Sequence, residues 1–372
     1  MIRHRLLTTD DVEGWRDALP AEACVMGCVE LARVTERWTG SAARLLVVEL
    51  GGHARIVYPF FLRAVGAPSL VAGLPEGLHD TCTPEYTGPL RIGRSPAEPG
   101  EAVREAALFN EALASRFAEN GVVAEFAHLS PWRAELNLLV PSGVEVDREI
   151  VWIDLEAGEE GIWAKSFSSD ARRMVRQAQR AEVQVRRACT REDILEFHRL
   201  YVGTMSRREA SARYWFSPEY FLDIFESMPE NAVFLLAEHR GRPVAGGLAF
   251  HDATDVYWHL SAADLEYARV RPVNAYVHEL LGWAVRAGKR RFLCGGGAQA
   301  PDDGVFRFKA SLSPLRAQFR VYKRIHAPDR YAALVRATWG TPVASLQTHY
   351  FPAYRAGQEQ RTKSHCVNRL SS

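Results

Sequence analysis

The sequence predicts an α/β (α+β) protein of two similar domains, each a mixed sheet flanked by helices. Three observations carry this. A strand–turn–strand pattern occurs twice, as RLLVVELGGHARIVYPFFL over residues 44–62 and as VFLLAEHRGRPVAGGLAFH over residues 233–251, an offset of 189 residues. Each copy is an apolar run ending in Glu, a glycine-bearing turn and a second apolar run. Two helical patterns precede each copy: Asp10–Ala18 and Ala21–Glu36 in the first half, Arg191–Arg208 and Pro218–Met228 in the second. Recurrence at about half the chain length reads as a duplicated domain. Finally, 372 residues suffice for two domains, each with its own core. The acidic, glycine-containing stretch LEAGEEG (Leu155–Gly161) marks the junction. The expected domains are therefore 1–158 and 159–330, with 331–372 a C-terminal helix and tail.

The second half can be read element by element. VQVRRA is a strand, and TREDILEFHRLYVGTM is a helix with Thr190 placed as N-cap. The helix from Ser217 and the hairpin follow. DVYWHLSAA alternates as a strand. NAYVHELLGWAVRAG is an amphipathic helix, with Asn274 placed to cap it and Gly288 to end it. RFLCGGG is a strand running into glycines and LRAQFRVYKRI a last strand, with a short helix between them.

Composition excludes some classes of protein. Hydrophobic residues make up 47% and charged residues 24%, as in soluble globular proteins. No apolar run reaches the ~18 residues of a membrane span, and MIRHRLLTTDDVEGW has charges where a signal peptide needs apolar residues. The six cysteines (Cys24, Cys28, Cys82, Cys189, Cys294, Cys366) show no metal-like spacing. Cys24 and Cys28, at i,i+4 in an apolar run, read as core packing. His365 and Cys366, in the polar tail, are expected to bind nothing. A reducing, cytoplasmic setting is expected, with no metal, no cofactor and a monomeric chain. The net charge of +1 hides a split: residues 1–160 hold 14 basic and 25 acidic residues, residues 161–372 hold 32 and 20. A basic half points either to a polyanionic partner or to attraction between the two halves.

The order β-α-α-β-β-β-α-β-α-β resembles that of GNAT-type acyltransferases. Those enzymes hold the coenzyme A pyrophosphate on backbone N–H groups of a glycine-rich loop at a helix N-terminus. Here the corresponding residues, 266–274, contain no glycine, and Pro272 lacks an N–H. The acyl donor is therefore expected to be something other than acyl-CoA. FSSDARRMVRQAQRAEVQVRRA (Phe167–Ala188), YVGTMSRREASARYWFSPEYF (Tyr201–Phe221), YWHLSAAD with the helix after it, LCGGG (Leu293–Gly297) and GVFRFKASLSPL (Gly304–Leu315) occur in the order found in the Fem family. In the first half TPEYTGP (Thr83–Pro89) resembles that family's Tyr-Gly-Gly-Pro motif, and near the end HYFPAYR (His349–Arg355) resembles the tail of a bacterial subgroup. Together these stretches span most of residues 80–355. Fem proteins are tandem GNAT-fold transferases that take an amino acid from aminoacyl-tRNA and form a peptide bond without the ribosome.

The resemblance assigns roles. Phe308 and Lys309 become the catalytic pair, and Lys309 is one of only five lysines among 46 basic residues. An ammonium is a compact charge suited to a tetrahedral oxyanion and a leaving ribose oxygen. Tyr86, Tyr201, Arg208, Tyr257, His259, Ser261 and Gly296 are candidate substrate-binding residues. Tyr257 and His259 share a strand face. Arg172, Arg176 and Arg180, at i, i+4, i+8 on one helix face, with Lys289 and Arg307, are candidate contacts to tRNA phosphates. Arginine helices and single histidines are also ordinary surface and core features, so these readings stay open beside the functional ones. The sequence has no sustained heptads of the coiled-coil arm common in cell-wall Fem enzymes. This favours a small-molecule or short-peptide amine acceptor over a peptidoglycan precursor. Two alternatives remain: an acyl-CoA-dependent N-acyltransferase with a rebuilt loop, and a non-catalytic RNA- or peptide-binding protein.

Overall fold

The computed structural model describes residues 4–51, 54–65, 75–297, 303–346, 348 and 350–356; His349, Lys363, His365 and Cys366 lie outside them. The elements run β1 (His4–Leu7), α1 (Val12–Ala18), α2 (Val29–Thr39), β2 (Ala42–Gly51), β3 (Ala54–Ala64), β4 (His79–Cys82), β5 (Leu90–Ile92), α3 (Pro99–Glu119), β6 (Val122–Leu129) and β7 (Val144–Asp154). They continue with α4 (Gly158–Gly161), α5 (Ser169–Arg180), β8 (Gln184–Arg187), α6 (Arg191–Arg207), α7 (Pro218–Ser227), β9 (Ala232–His239), β10 (Arg242–His251) and β11 (Asp255–Ala263). The last are α8 (Pro272–Arg286), β12 (Arg291–Gly295), α9 (Gly304–Leu312), β13 (Arg316–Ile325) and α10 (Pro328–Trp339). None of the described helices is long and apolar enough to cross a membrane.

The chain forms two compact units. The first is Met1–Pro20, Met26–Asp147 and Phe319–Ser372; the second is Ala21–Val25 and Arg148–Gln318. In the first unit the sheet order is β1-β2-β3-β4-β6-β13, with β5 also on β3. Its neighbours are antiparallel except β4 and β6. The alternating residues Leu46, Val48, Ile56, Tyr58, Phe60 and Leu62 form one apolar face, against which α3 lays Phe109, Leu113 and Phe117. In the second unit the order is β8-β9-β10-β11-β12-β7, and here β11 and β12 are the parallel pair. Both predicted hairpins exist, β2–β3 and β9–β10, and each follows two helices. Each unit therefore reads edge strand, hairpin, third antiparallel strand, parallel strand, closing strand.

The closing strands explain why contacts divide the chain differently from the split at 158 and 330. β7 follows β6 in sequence but bonds to β12, and β13 follows the second unit's elements but bonds to β6. The helix expected over Ala21–Glu36 begins only at Val29, after a short 3-10 turn at Val25–Gly27, so Cys24 and Cys28 are buried but not on one helix. Thr190 caps α6 in a reciprocal capping box with Asp193. Asn274 does not cap α8. That helix opens at Pro272 behind Arg271, a residue at φ 56°, because proline suits a first helical position and ends the preceding chain there. Gly246 and Gly247 admit helices from both faces: a Cβ at Gly246 would meet Phe197 of α6, and one at Gly247 would meet the Tyr276 ring of α8.

The first unit buries charge. Asp80 is fully buried and accepts from Arg63 Nε at 2.7 Å, Arg355 Nε at 2.5 Å and the Tyr354 hydroxyl at 2.9 Å. These bonds tie the chain after α10 to the centre of the sheet. Asp80→Ala leaves two arginines without their carboxylate, and a loss of about 3–5 kcal/mol is expected in urea unfolding. A loss under about 1 kcal/mol would show that the arginines find solvent instead.

Candidate active site

The second unit contains an opening that its own strands create. β11 and β12 are bonded only where Asp255, Val256 and Tyr257 meet Arg291, Phe292 and Leu293. Beyond that point β11 continues alongside β10 to Ala263, while β12 ends at Gly295, whose φ of 81° turns the chain away. The equivalent parallel pair of the first unit stays joined past the end of β4, through Thr83 N–H to Phe126 O and Thr87 N–H to His128 O. A register shift in β11 pairs Ala249 with Trp258 and Leu248 with Leu260, leaving His259 as the extra residue of a β-bulge. The bulge shifts the alternation, so Trp258 and Ser261 share the face covered by α8. There the Tyr276 hydroxyl donates to Ser261 Oγ at 2.5 Å.

Lys309 stands where the strands part. Asp303 caps α9, accepting from Phe306 N–H at 2.8 Å, and the helix carries Phe308 and Lys309 to the opening. Lys309 Nζ donates to Gly296 O at 2.8 Å and lies 5.9 Å from the centre of the Trp258 ring. Phe308 packs into the core and meets Trp258 edge-on at 6.2 Å. One bond to β12's end and one ring on β11 thus orient the ammonium across the gap. Cys294, beneath it, is fully buried; burial pushes its thiol up to about 12 against the opposing pull of Lys309 and Arg316. Burial likewise raises the Tyr276 hydroxyl, against the hydrogen bond to Ser261, a contact with Trp258 and the charge of Arg208. Neither group ionises readily, so neither adds negative charge beside the lysine.

The remaining candidates separate into groups. Ser261 and Gly296 belong to this site, and Arg208, exposed at the end of α6, acts on it through its charge. Tyr257 and His259 do share a face, but it is the opposite one. Tyr257 is 2% exposed with its hydroxyl donating to Asp252 Oδ2 at 3.3 Å, and His259 packs 5.0 Å from Phe250. Tyr201 is 1% exposed and donates to Tyr214 O, so its hydroxyl serves the core. Tyr86 lies in the first unit, at φ 56°, its ring 5.2 Å from that of Phe319. Arg172 is spent on backbone carbonyls, donating to Trp163 O at 3.1 Å and Phe167 O at 2.5 Å. Lys289 Nζ donates to Asp252 O at 2.5 Å and is half-buried, a hairpin clasp rather than a surface contact. Arg176, Arg180 and Arg307 are exposed on α5 and α9, which pack together. Strand alternation in the sequence pointed to Tyr257 and His259 and passed over Trp258 and Tyr276, because a bulge leaves no local signature. Among the described residues no cluster of three His, Cys, Asp or Glu is placed to hold a metal ion.

These elements have the GNAT fold: a model of the acetyltransferase (GNAT) domain matches residues 165–310, from the turn before α5 into α9. Among solved structures the chain is similar to FemX, with 14% identity and a TM-score of 0.66 over 88% of this chain and 98% of that one. It is also similar to a conserved protein of unknown function from Bacteroides thetaiotaomicron VPI-5482, with 12% identity and a TM-score of 0.56 over 87% and 100%. At such identities the likeness is one of fold, and the fold is Fem-like: two GNAT-like domains in tandem. No curated protein matches the chain in sequence.

Gly295→Ala tests the geometry. A Cβ at φ 81° costs about 1–2 kcal/mol and shifts the Gly296 carbonyl that orients Lys309. A lower Tm together with a fall in kcat is expected; a lower Tm with unchanged kcat would separate the turn from the site.

Proposed function

We propose that the protein is an aminoacyltransferase that takes its acyl group from aminoacyl-tRNA and forms an amide bond on an amine acceptor, a small molecule, a short peptide or a cell-wall precursor. The observation that carries this reading is the Lys309 ammonium, held on Gly296 O at the parting of β11 and β12. In the reaction the acceptor nitrogen attacks the ester carbonyl and the N–C bond forms. The bond from carbon to the ribose oxygen then breaks, and an amine proton ends on that oxygen. Negative charge appears first on the carbonyl oxygen and then on the leaving oxygen. A preorganised cation beside both lowers the barrier by about 3–4 kcal/mol. Its placement in the last turn of α9 suits a cation as well.

The start of α8 supports a donor other than acyl-CoA. Arg271 and Pro272 stand where successive N–H groups would form a pyrophosphate nest, and the loop before them has no glycine. Exposed Arg176, Arg180 and Arg307 offer charge to a polyanionic donor. The GNAT domain match favours a second reading, an acyl-CoA-dependent N-acyltransferase. Binding of labelled aminoacyl-tRNA and of acetyl-CoA to the purified chain decides between them: retention of acetyl-CoA alone overturns the tRNA reading.

Lys309→Ala is expected to retain donor binding and to lose about 100- to 1000-fold in kcat, with KM little changed. Lys309→Arg should restore only part, since the charge is kept but spread over a planar fork. Wild-type kcat in a normally melting Lys309→Ala protein would remove the lysine from the chemistry.

Attraction for the donor is electrostatic. Affinity for tRNA should fall steeply with salt, and Arg176→Gln with Arg180→Gln should flatten the log–log slope by about 0.9 for each phosphate no longer neutralised. An unchanged slope would return both arginines to the solvated face of α5.

A further inference from the structure

The first unit holds a cysteine–histidine pair that the transfer reaction does not use. The parallel register of β4 and β6 sets Cys82 opposite Phe126, and His128 returns to the same face. His128 Nδ1 lies 3.8 Å from Cys82 Sγ, and both side chains are half-buried. The imidazole is fixed on several sides. Its main-chain N–H donates to Thr83 Oγ1 at 2.8 Å, its ring stacks on Phe319 at 6.0 Å, and the Phe126 ring meets it edge-on at 4.8 Å. Nδ1 also lies 3.3 Å from Thr83 O, which Cys82 Sγ faces as well at 3.5 Å, so a proton on Nδ1 would sit between the carbonyl and the sulfur.

The surrounding charges favour an ionised pair. Arg63 reaches in from β3, while Asp80 on β4 itself is neutralised by Arg63 and Arg355. Burial opposes thiol ionisation, and Asp80 does so weakly, yet the Arg63 charge and then His128 outweigh both and hold the Cys82 thiol below its ordinary value. Burial alone would lower His128, but Cys82, then Glu85 and the Thr83 carbonyl, raise it. The other described cysteines differ. Cys24, Cys28 and Cys294 are buried, Cys294 with its thiol pushed the opposite way, and Cys189 is exposed, its Sγ donating to Arg187 O at 3.5 Å.

We propose that Cys82 is a reactive thiol, held beside His128 as a thiolate–imidazolium pair, and that it is a modification site for low-molecular-weight disulfides. The Cys82 thiolate attacks one sulfur of the disulfide, a new S–S bond forms as the old one breaks, and the departing thiolate takes the proton carried by His128. Thiol and disulfide thus become mixed disulfide and thiol, with no outside oxidant. Phe319, which stacks on His128, also packs against Tyr86, so the rings of His128 and Phe319 link Cys82 to that residue.

The full chain is titrated for thiolate ultraviolet absorbance, wild type minus Cys82→Ser. The expected midpoint lies below the ordinary thiol value of about 8.5. Exposure to hydroxyethyl disulfide near neutral pH, read by peptide mass, is expected to label Cys82 ahead of exposed Cys189. In His128→Gln the midpoint should rise, with exchange slowed about three- to fourfold for each unit of rise below the midpoint, because the scarcer thiolate is also the stronger nucleophile. A wild-type midpoint at or above the ordinary value overturns the proposal, and so does labelling of Cys82 no faster than Cys189. If His128→Gln fails to fold, the wild-type titration decides alone.

Discussion

Parallel strands β11 and β12 remain bonded only as far as Tyr257 and Leu293, and the candidate site depends on that parting. A parallel pair that separates exposes the ends of two strands inside a sheet, where backbone groups and side chains would otherwise be covered. The protein fills the edges of the gap with specific contacts. Gly295 turns β12 aside, Gly296 O receives the Lys309 ammonium, and Trp258 supplies a ring face from β11. Each contact needs the others. Without the bulge at His259, Trp258 and Ser261 would not share a face, and without the Gly295 turn the Gly296 carbonyl would not meet α9.

The first unit shows the same succession of elements with the parallel pair closed. Hydrogen bonds continue beyond β4 through Thr83 and Thr87, so no comparable gap opens. Its interior instead contains carboxylates. Asp80 is matched by Arg63, Arg355 and Tyr354, and Glu125 accepts from Tyr58 at 2.7 Å and pairs with His326 at 2.8 Å. Buried charge of this kind is stable only when every oxygen has a partner. It binds Tyr354 and Arg355, which follow α10, to the centre of the unit's sheet, beside the core in which Tyr331, Leu334, Val335 and Ala353 are buried.

Local pattern sufficed for most elements. The two hairpins, the N-cap at Thr190 and the helix ending at Gly288 follow from period, caps and glycine. The flanking motifs single out Phe308 and Lys309, and α9 keeps both residues in one short helix. Other side chains could not be assigned that way. Arg172 looks like a member of an arginine face, but its guanidinium closes a turn on Trp163 and Phe167; Lys289 looks like part of a basic wall, but it clasps Asp252 O. Whether a charged group faces solvent or a carbonyl depends on what lies opposite, and that partner is distant in the chain or hidden in the turn geometry.

The sequence by itself determined the element types, the duplication and the residue on which the chemistry is proposed, because helices, hairpins and caps are written in residues near one another. Only the tertiary structure decided which strand closes each sheet, which face Trp258, Tyr257 and His259 occupy, and where β11 leaves β12. Strand partners are chosen by burial and hydrogen bonding between segments far apart: β7 leaves the strands just before it to pair with β12, and β13 returns past the second unit to pair with β6. A one-residue bulge reverses the facing of every later residue in its strand, and no pattern within β11 records it.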